Sequence, residues 1–169
     1  MNRIQHIAAA TAVALQISLL CAAQTALPQL ISQLEWAEPD LGRKVISELL
    51  KGGGLTVAEL TKQLDPPSKD SNDANIRFAL HGMVVHSMTG KAEAQRAMLE
   101  RGLITALNAR TEPEVRAFLI RQLQLCGEDP SVAPLAALLA DDRFGEPATQ
   151  ALTRIGTPNA IEHLRKALE

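Results

Sequence analysis

Cys126-Gly127-Glu128-Asp129-Pro130-Ser131-Val132, followed by Leu135, Leu138 and Leu139, is answered 29 residues later. There Ile155-Gly156-Thr157-Pro158-Asn159-Ala160-Ile161 is followed by Leu164, Ala167 and Leu168, an offset of 29 residues from 126 to 155. Self-similarity at a period of about 20 to 50 residues means stacked supersecondary units, each too small to bury its apolar face alone. The function is less legible than the fold, because stacked units of this kind carry binding surfaces of many sorts.

Outward from that pair, apolar spacing predicts helices. Thr111-Glu112-Pro113-Glu114 reads as a capping box whose helix runs to Leu125 and buries Val115, Phe118, Leu119 and Leu123. Over 73–88, Ile76, Ala79, Leu80, Met83, Val84 and Ser87 recur at three- and four-residue steps, and Gly90 stops the helix. Ala92 to Ala109 forms another, with Ala94, Ala97, Met98, Ile104 and Leu107 as its expected buried side. Helices are also predicted over 131–140, 147–155 and 159–168, and the short loops between them make sequential helices antiparallel hairpins. Nearer the start, 27–37 reads as a short helix, and a second opens at Asp40 and ends at Gly52-Gly53-Gly54, read as C-cap and turn. Thr56-Val57-Ala58-Glu59 is a further capping box, opening a helix to about Leu64. Asp65 to Asn72, with Pro66-Pro67, is an exposed loop and the clearest internal boundary.

Val115-Arg116, Leu123, Gly127, Asp129-Pro130, Val132, Pro134-Leu135 and Leu138 resemble a HEAT repeat, of the short variety named after phycobilisome lyases. Ala151-Leu152, Ile155-Gly156, Pro158, Ala160-Ile161 and Leu164 resemble the same pattern one unit on, and Ile76-Arg77 looks like an earlier Val-Arg start. Phe144-Gly145 stands where Val-Arg is expected, a departure that would loosen the start of that helix. The resemblance implies an all-α fold, an α-solenoid of stacked antiparallel helix hairpins whose second (B) helices line a concave surface. The organisation is then a signal peptide over 1–23, an N-terminal helical segment over 24–64, a loop over 65–72, and HEAT-like repeats over 73–169.

Composition agrees with helices. The 169 residues suffice for one domain with a sizeable core, and the 46% hydrophobic share is mostly Ala and Leu, with three Phe, one Trp and no Tyr. A net charge of −2 gives no field that calls for nucleic acid. Arg3, the apolar run Ile7–Leu20 and the small residues Cys21-Ala22-Ala23 form a secretory signal with cleavage expected after Ala23. The run is too short for a membrane span. Lipoprotein anchoring through Cys21 is disfavoured, because Leu20 stands where that signal wants a small residue. The expected location is therefore extracytoplasmic, periplasmic or secreted.

No catalytic, metal or cofactor site is expected. His81 and His86 are five apart rather than four, and neither His-Glu-x-x-His nor a zinc-type Cys pair occurs. Gly-x-Ser-x-Gly and Ser-x-x-Lys are missing, Asp141-Asp142 reads as solvated loop acids, and Cys126 as a small buried apolar residue. One positional hint remains: Arg121 and Gln124 on one B helix, with Gln150, Thr153 and Arg154 on the next, form a polar stripe opposite the core. Arginine and amides suit acidic loops or peptide backbone. Arg121, Gln124, Gln150 and Arg154 are thus the protein-interaction candidates of a non-catalytic scaffold whose partner is another protein. The alternatives are an accessory or chaperone-like subunit of a lyase-type enzyme and a self-assembling structural module. Self-association would use the edge carrying Ile161, Leu164 and Leu168, unless Glu162, Arg165 and Lys166 let the last helix cap itself.

Overall fold

Proline and glycine punctuate the chain into helices, and no strand interrupts them among the residues described by this computed structural model, 27–34, 39–68, 72–90 and 92–168. The expected signal peptide and Cys21 lie outside those residues, as do 35–37 of the first expected helix and 69–71 of the loop. The elements are α1 (27–32), α2 Pro39–Lys51, α3 Gly53–Lys62, α4 Ala74–Ser87, α5 Glu93–Ala109, α6 Pro113–Cys126, α7 Asp129–Ala136, α8 Gly145–Ile155 and α9 Pro158–Lys166. Proline occupies the first turn of α6, α7 and α9, where its missing N–H costs no helical hydrogen bond.

Packing follows chain order. α2 lies on α4, α4 on α6 and α6 on α8, making one row, while α3, α5, α7 and α9 make a second in the same fashion. The rows share one core, through which Leu49, Leu60, Leu80, Leu103, Leu119, Leu135 and Leu152 run. The segment before the 65–72 loop therefore packs into the same interior as the helices after it. Arg110 strengthens that junction by donating to the carbonyls of Thr61 (3.3 Å), Lys62 (3.3 Å) and Leu64 (2.6 Å), which closes the C-terminal end of α3.

The predicted buried faces of α4 and α6 are observed residue for residue, with Ile120, Gln122 and Cys126 added on α6. α5 turned out otherwise. It buries Leu99, Glu100, Leu103, Ala106 and Leu107, while Ala94 is exposed and Ala97, Met98 and Ile104 are half-buried. α5 touches α3, α4, α6 and α7, and turning its leucines inward removes more apolar area from water than turning in alanines.

Neither capping box forms. Gly53 adopts φ +64, which reverses the chain at once and starts α3 three residues before Thr56, so the glycines begin a helix as well as end one. At α6 the cap position falls on Glu112 instead of Thr111, and no side chain caps it; the Glu112 carboxylate is held by Arg110 Nε and Nη2, both at 3.0 Å, and by the Thr111 amide at 3.0 Å. These bonds, the arginine's foremost, hold its pKa below the usual value.

The α7–α8 connection is tighter than expected. α7 ends at Ala136, and Asp141 Oδ1 accepts from the amides of Arg143 and Phe144, both at 2.9 Å. Phe144 is buried with the Arg116 guanidinium 4.6 Å from its ring centre. A side chain at Gly145 would stand 2.7 Å from the Leu139 carbonyl. Phe144-Gly145 thus fastens the start of α8 rather than loosening it.

The deepest polar contact is Glu100, 2% exposed. Its Oε1 accepts from the Glu128 amide (2.7 Å), the Ser131 amide (3.2 Å) and Ser131 Oγ (2.6 Å), so a side chain of α5 caps α7. Thr157 Oγ1 then donates to Asp129 Oδ1 at 2.6 Å, joining the starts of α7 and α9.

Two outcomes follow for stability. Glu100→Ala removes the acceptor of the Glu128 amide and of Ser131 Oγ, while the Ser131 amide keeps its bond to the Glu128 carbonyl at 3.0 Å; it should cost about 2–3 kcal/mol, read as a lower urea midpoint at unchanged slope. Glu100→Gln, which keeps an acceptor, should cost less. Asp141 has its pKa lowered by the Arg143 amide and then the Phe144 amide. Its stabilisation is therefore present above the unfolded value and lost as pH falls through the folded one. The stability gap between wild type and Asp141→Ala should be full near neutrality and narrow as pH drops below 3.8 in an acid titration of the melting temperature.

Candidate functional site

α4 contains no acidic residue and is apolar on two sides. Ile76, Ala79, Leu80, Met83 and Val84 fill the core, while Phe78, Val85 and Met88 stand 55%, 47% and 42% exposed on another face. On the neighbouring α6, Phe118, Arg121, Gln122 and Leu125 recur at three- and four-residue steps, with Leu125 38% exposed. The two faces meet. His81 Nδ1 lies 3.1 Å from Gln122 Oε1, and the Arg77 guanidinium sits 4.9 Å from the centre of the Phe118 ring. Arg77 is anchored from behind by Asp73 Oδ2 at 2.8 Å and the Asp65 carbonyl at 2.7 Å.

Between these helices lies a cleft of about 550 Å³, bordered by Phe78, His81, Phe118, Arg121, Gln124 and Leu125. A second depression of about 390 Å³ adjoins it, sharing Gln124 and Leu125 and reaching Met88 and Arg154. The four sequence-derived candidates distribute unevenly over this surface. Arg121 and Gln124 border the first cleft, and Gln124 and Arg154 the second. Gln150 borders neither, and its amide bonds Glu146 Oε1 at 3.3 Å within α8. Arg121, Gln124 and Arg154 make no side-chain hydrogen bond or ion pair among the described residues, so their donors face solvent.

Sequence reasoning overlooked Phe78, Val85, Met88 and Leu125. The available signal was the seven-residue spacing of Phe78 with Val85 and of Phe118 with Leu125, beside the core stripe of each helix.

Other candidate chemistries have local explanations. Cys126 borders the second depression but is buried, donates to the Gln122 carbonyl at 3.4 Å, and has its pKa pushed up to about 12 by burial and then by the Glu100 charge. It is a packed thiol rather than a nucleophile at neutral pH. Among the described residues no group of three His, Cys, Asp or Glu could hold a metal ion, and no helix is long and apolar enough to cross a membrane. On α9 Ile161 is exposed, Leu164 packs against the core, and Lys166 pairs with Glu162 at 2.6 Å; Leu168, just past the helix, is exposed too. No known family, curated protein or solved structure matches the chain.

The thiol is directly testable. In a Cys21→Ser background, Ellman's reagent should leave Cys126 essentially unmodified in the native protein and react at once in guanidinium; rapid native labelling would contradict its burial.

Proposed function

We propose that the protein is a non-catalytic interaction module, an exported α-solenoid of HEAT-like hairpins whose α4–α6–α8 row docks another protein. Three features support the solenoid. Helices pack against partners one and two places along, the apolar pattern repeats after 29 residues from 126 to 155, and the Thr157–Asp129 bond joins the starts of α7 and α9, the corresponding helices of successive units. The export reading rests on the sequence of residues 1–23.

The docking reading is carried by one observation: Phe78, Val85, Met88 and Leu125 are exposed on one face beside the unpaired guanidinium groups of Arg121 and Arg154. Aromatic residues, methionine and arginine are the types enriched at the centres of protein interfaces. Exposed apolar side chains clustered in this way mark contact surfaces, whereas scattered ones need no explanation.

The test is site-specific photo-crosslinking in the native host. A benzoylphenylalanine at position 78, 121 or 125 should give a discrete adduct with a second protein. The same group at exposed Arg101 or Thr105, on α5 in the other row, should not. Equal yields from both rows, or adducts from α5 alone, would remove the docking face.

A further inference from the structure

The α4–α6 cleft has a one-sided charge pattern. Among the described residues no carboxylate borders it. α4 carries no acid at all, and the only one on α6, Glu114, lies two turns before Arg121 at the start of the helix. Of the two arginines at the cleft, Arg77 is committed to Asp73, to the Asp65 carbonyl and to the Phe118 ring. Arg121 is exposed and makes no such contact among the described residues. His81 is tied to Gln122, whereas the half-buried Gln124 has both amide ends open for a partner's backbone.

We propose that this cleft recognises a partner segment through an apolar side chain with a carboxylate beside it. The apolar group would sit between Phe78, Phe118 and Leu125, and the carboxylate on the Arg121 guanidinium. This rests on the docking reading above and adds the chemistry of the occupant. A guanidinium beside apolar walls binds a carboxylate in two parallel hydrogen bonds, and the walls lower the local dielectric that would otherwise weaken them. A lysine or arginine on the partner would meet the unpaired Arg121 guanidinium with no cleft carboxylate among the described residues to offset it.

The contrast with the depression at the other end of the molecule is informative. That site, about 580 Å³, is lined by Leu27, Leu30 and Leu55, but Glu48 and Glu59 border it together with Lys51 and Lys62. Both signs are present there, so it offers no choice between acidic and basic ligands. The α4–α6 cleft does.

The experiment selects random peptides displayed on phage against the full chain, with Phe78→Gln as counter-selection. Phe78 and Arg121 are both exposed, so Phe78→Gln and Arg121→Gln should melt with the wild type, within about 0.5 kcal/mol. The recovered sequences should pair Leu, Ile, Phe or Trp with Asp or Glu within one helical turn. A synthetic consensus peptide should lose about tenfold in affinity to Arg121→Gln. Changing its acid to the amide should cost the same in wild type and nothing further in Arg121→Gln. An apolar consensus without acid preference, or affinity indifferent to Arg121→Gln, would overturn this proposal and leave the docking face standing. Peptides insensitive to Phe78→Gln would overturn both. A concentration-dependent dimer of the free protein that Phe78→Gln dissolves would assign the cleft to a second copy and overturn the acidic-segment reading.

Discussion

The turn from α6 into α7, and with it the second row beyond residue 128, is held by one buried carboxylate. Only Gly127 and Glu128 separate α6 from α7, and no side chain of that connection caps α7. Without an outside acceptor the Glu128 amide and Ser131 Oγ would lose their partner and the Ser131 amide would keep only the Glu128 carbonyl, at a cost of about 1–3 kcal/mol for each unpaired group. Glu100 supplies the acceptor from α5, the preceding helix of the same row, and in return receives the donors and helix-terminal field that a buried charge requires. Arg96, one turn earlier on α5, pairs with Glu128 and holds the connection from its outer side. Because α9 is bonded to α7 through Thr157 and Asp129, the orientation set by Glu100 passes on to the last helix.

Such fastening is needed because helices that bury their apolar stripe against near neighbours have little long-range packing to fix their register. Several junctions carry their own polar lock. Arg110 closes α3, Arg77 covers Phe118, and Arg116 covers Phe144. The last two are the same device used twice, a guanidinium on one helix of the row lying on an aromatic ring at the next. The Nε of Arg116 is buried without a hydrogen-bond partner among the described residues, and its charge is met by the Phe144 ring face and, through space, by the Asp141 carboxylate. A contact of this kind contributes of the order of 0.5–2 kcal/mol and, unlike an aliphatic contact, has a preferred geometry.

How far the structure could be read in advance depended on whether a feature was local. The buried stripes of α4 and α6 followed from periodicity alone, because each helix presents one strong set of large apolar residues to the core. On α5 two apolar sets compete, one rich in alanine and one in leucine, and only the packing of four neighbours decides between them. Both capping boxes failed for reasons that spacing cannot reveal. At Gly53 a left-handed residue moved the helix start ahead of Thr56, and α6 starts one residue later than a Thr111 cap requires, with Glu112 at the cap position and its carboxylate drawn to Arg110. Glu100 could not have been found, since its partners lie 28 and 31 residues ahead. At the candidate site the arginines were legible as polar residues opposite a core, whereas Phe78 and Val85 were taken up into the general apolarity of α4.

That general apolarity is the clue with the widest reach. A helix apolar all round is normally enclosed on all sides. α4 packs on α2, α3, α5 and α6, and these leave the Phe78–Val85–Met88 side open. Nothing in core stability calls for large apolar groups there, and polar residues would serve solubility better. Along the row the exposed chemistry then changes, from aromatic and aliphatic on α4, through Arg121, Gln124 and Leu125 on α6, to Gln150, Thr153 and Arg154 on α8. A surface graded from apolar to polar distinguishes the two directions in which an elongated ligand could lie across it. An apolar anchor at the α4 end and hydrogen bonds at the α8 end would set orientation as well as affinity, a combination that neither an apolar patch nor a polar stripe provides by itself.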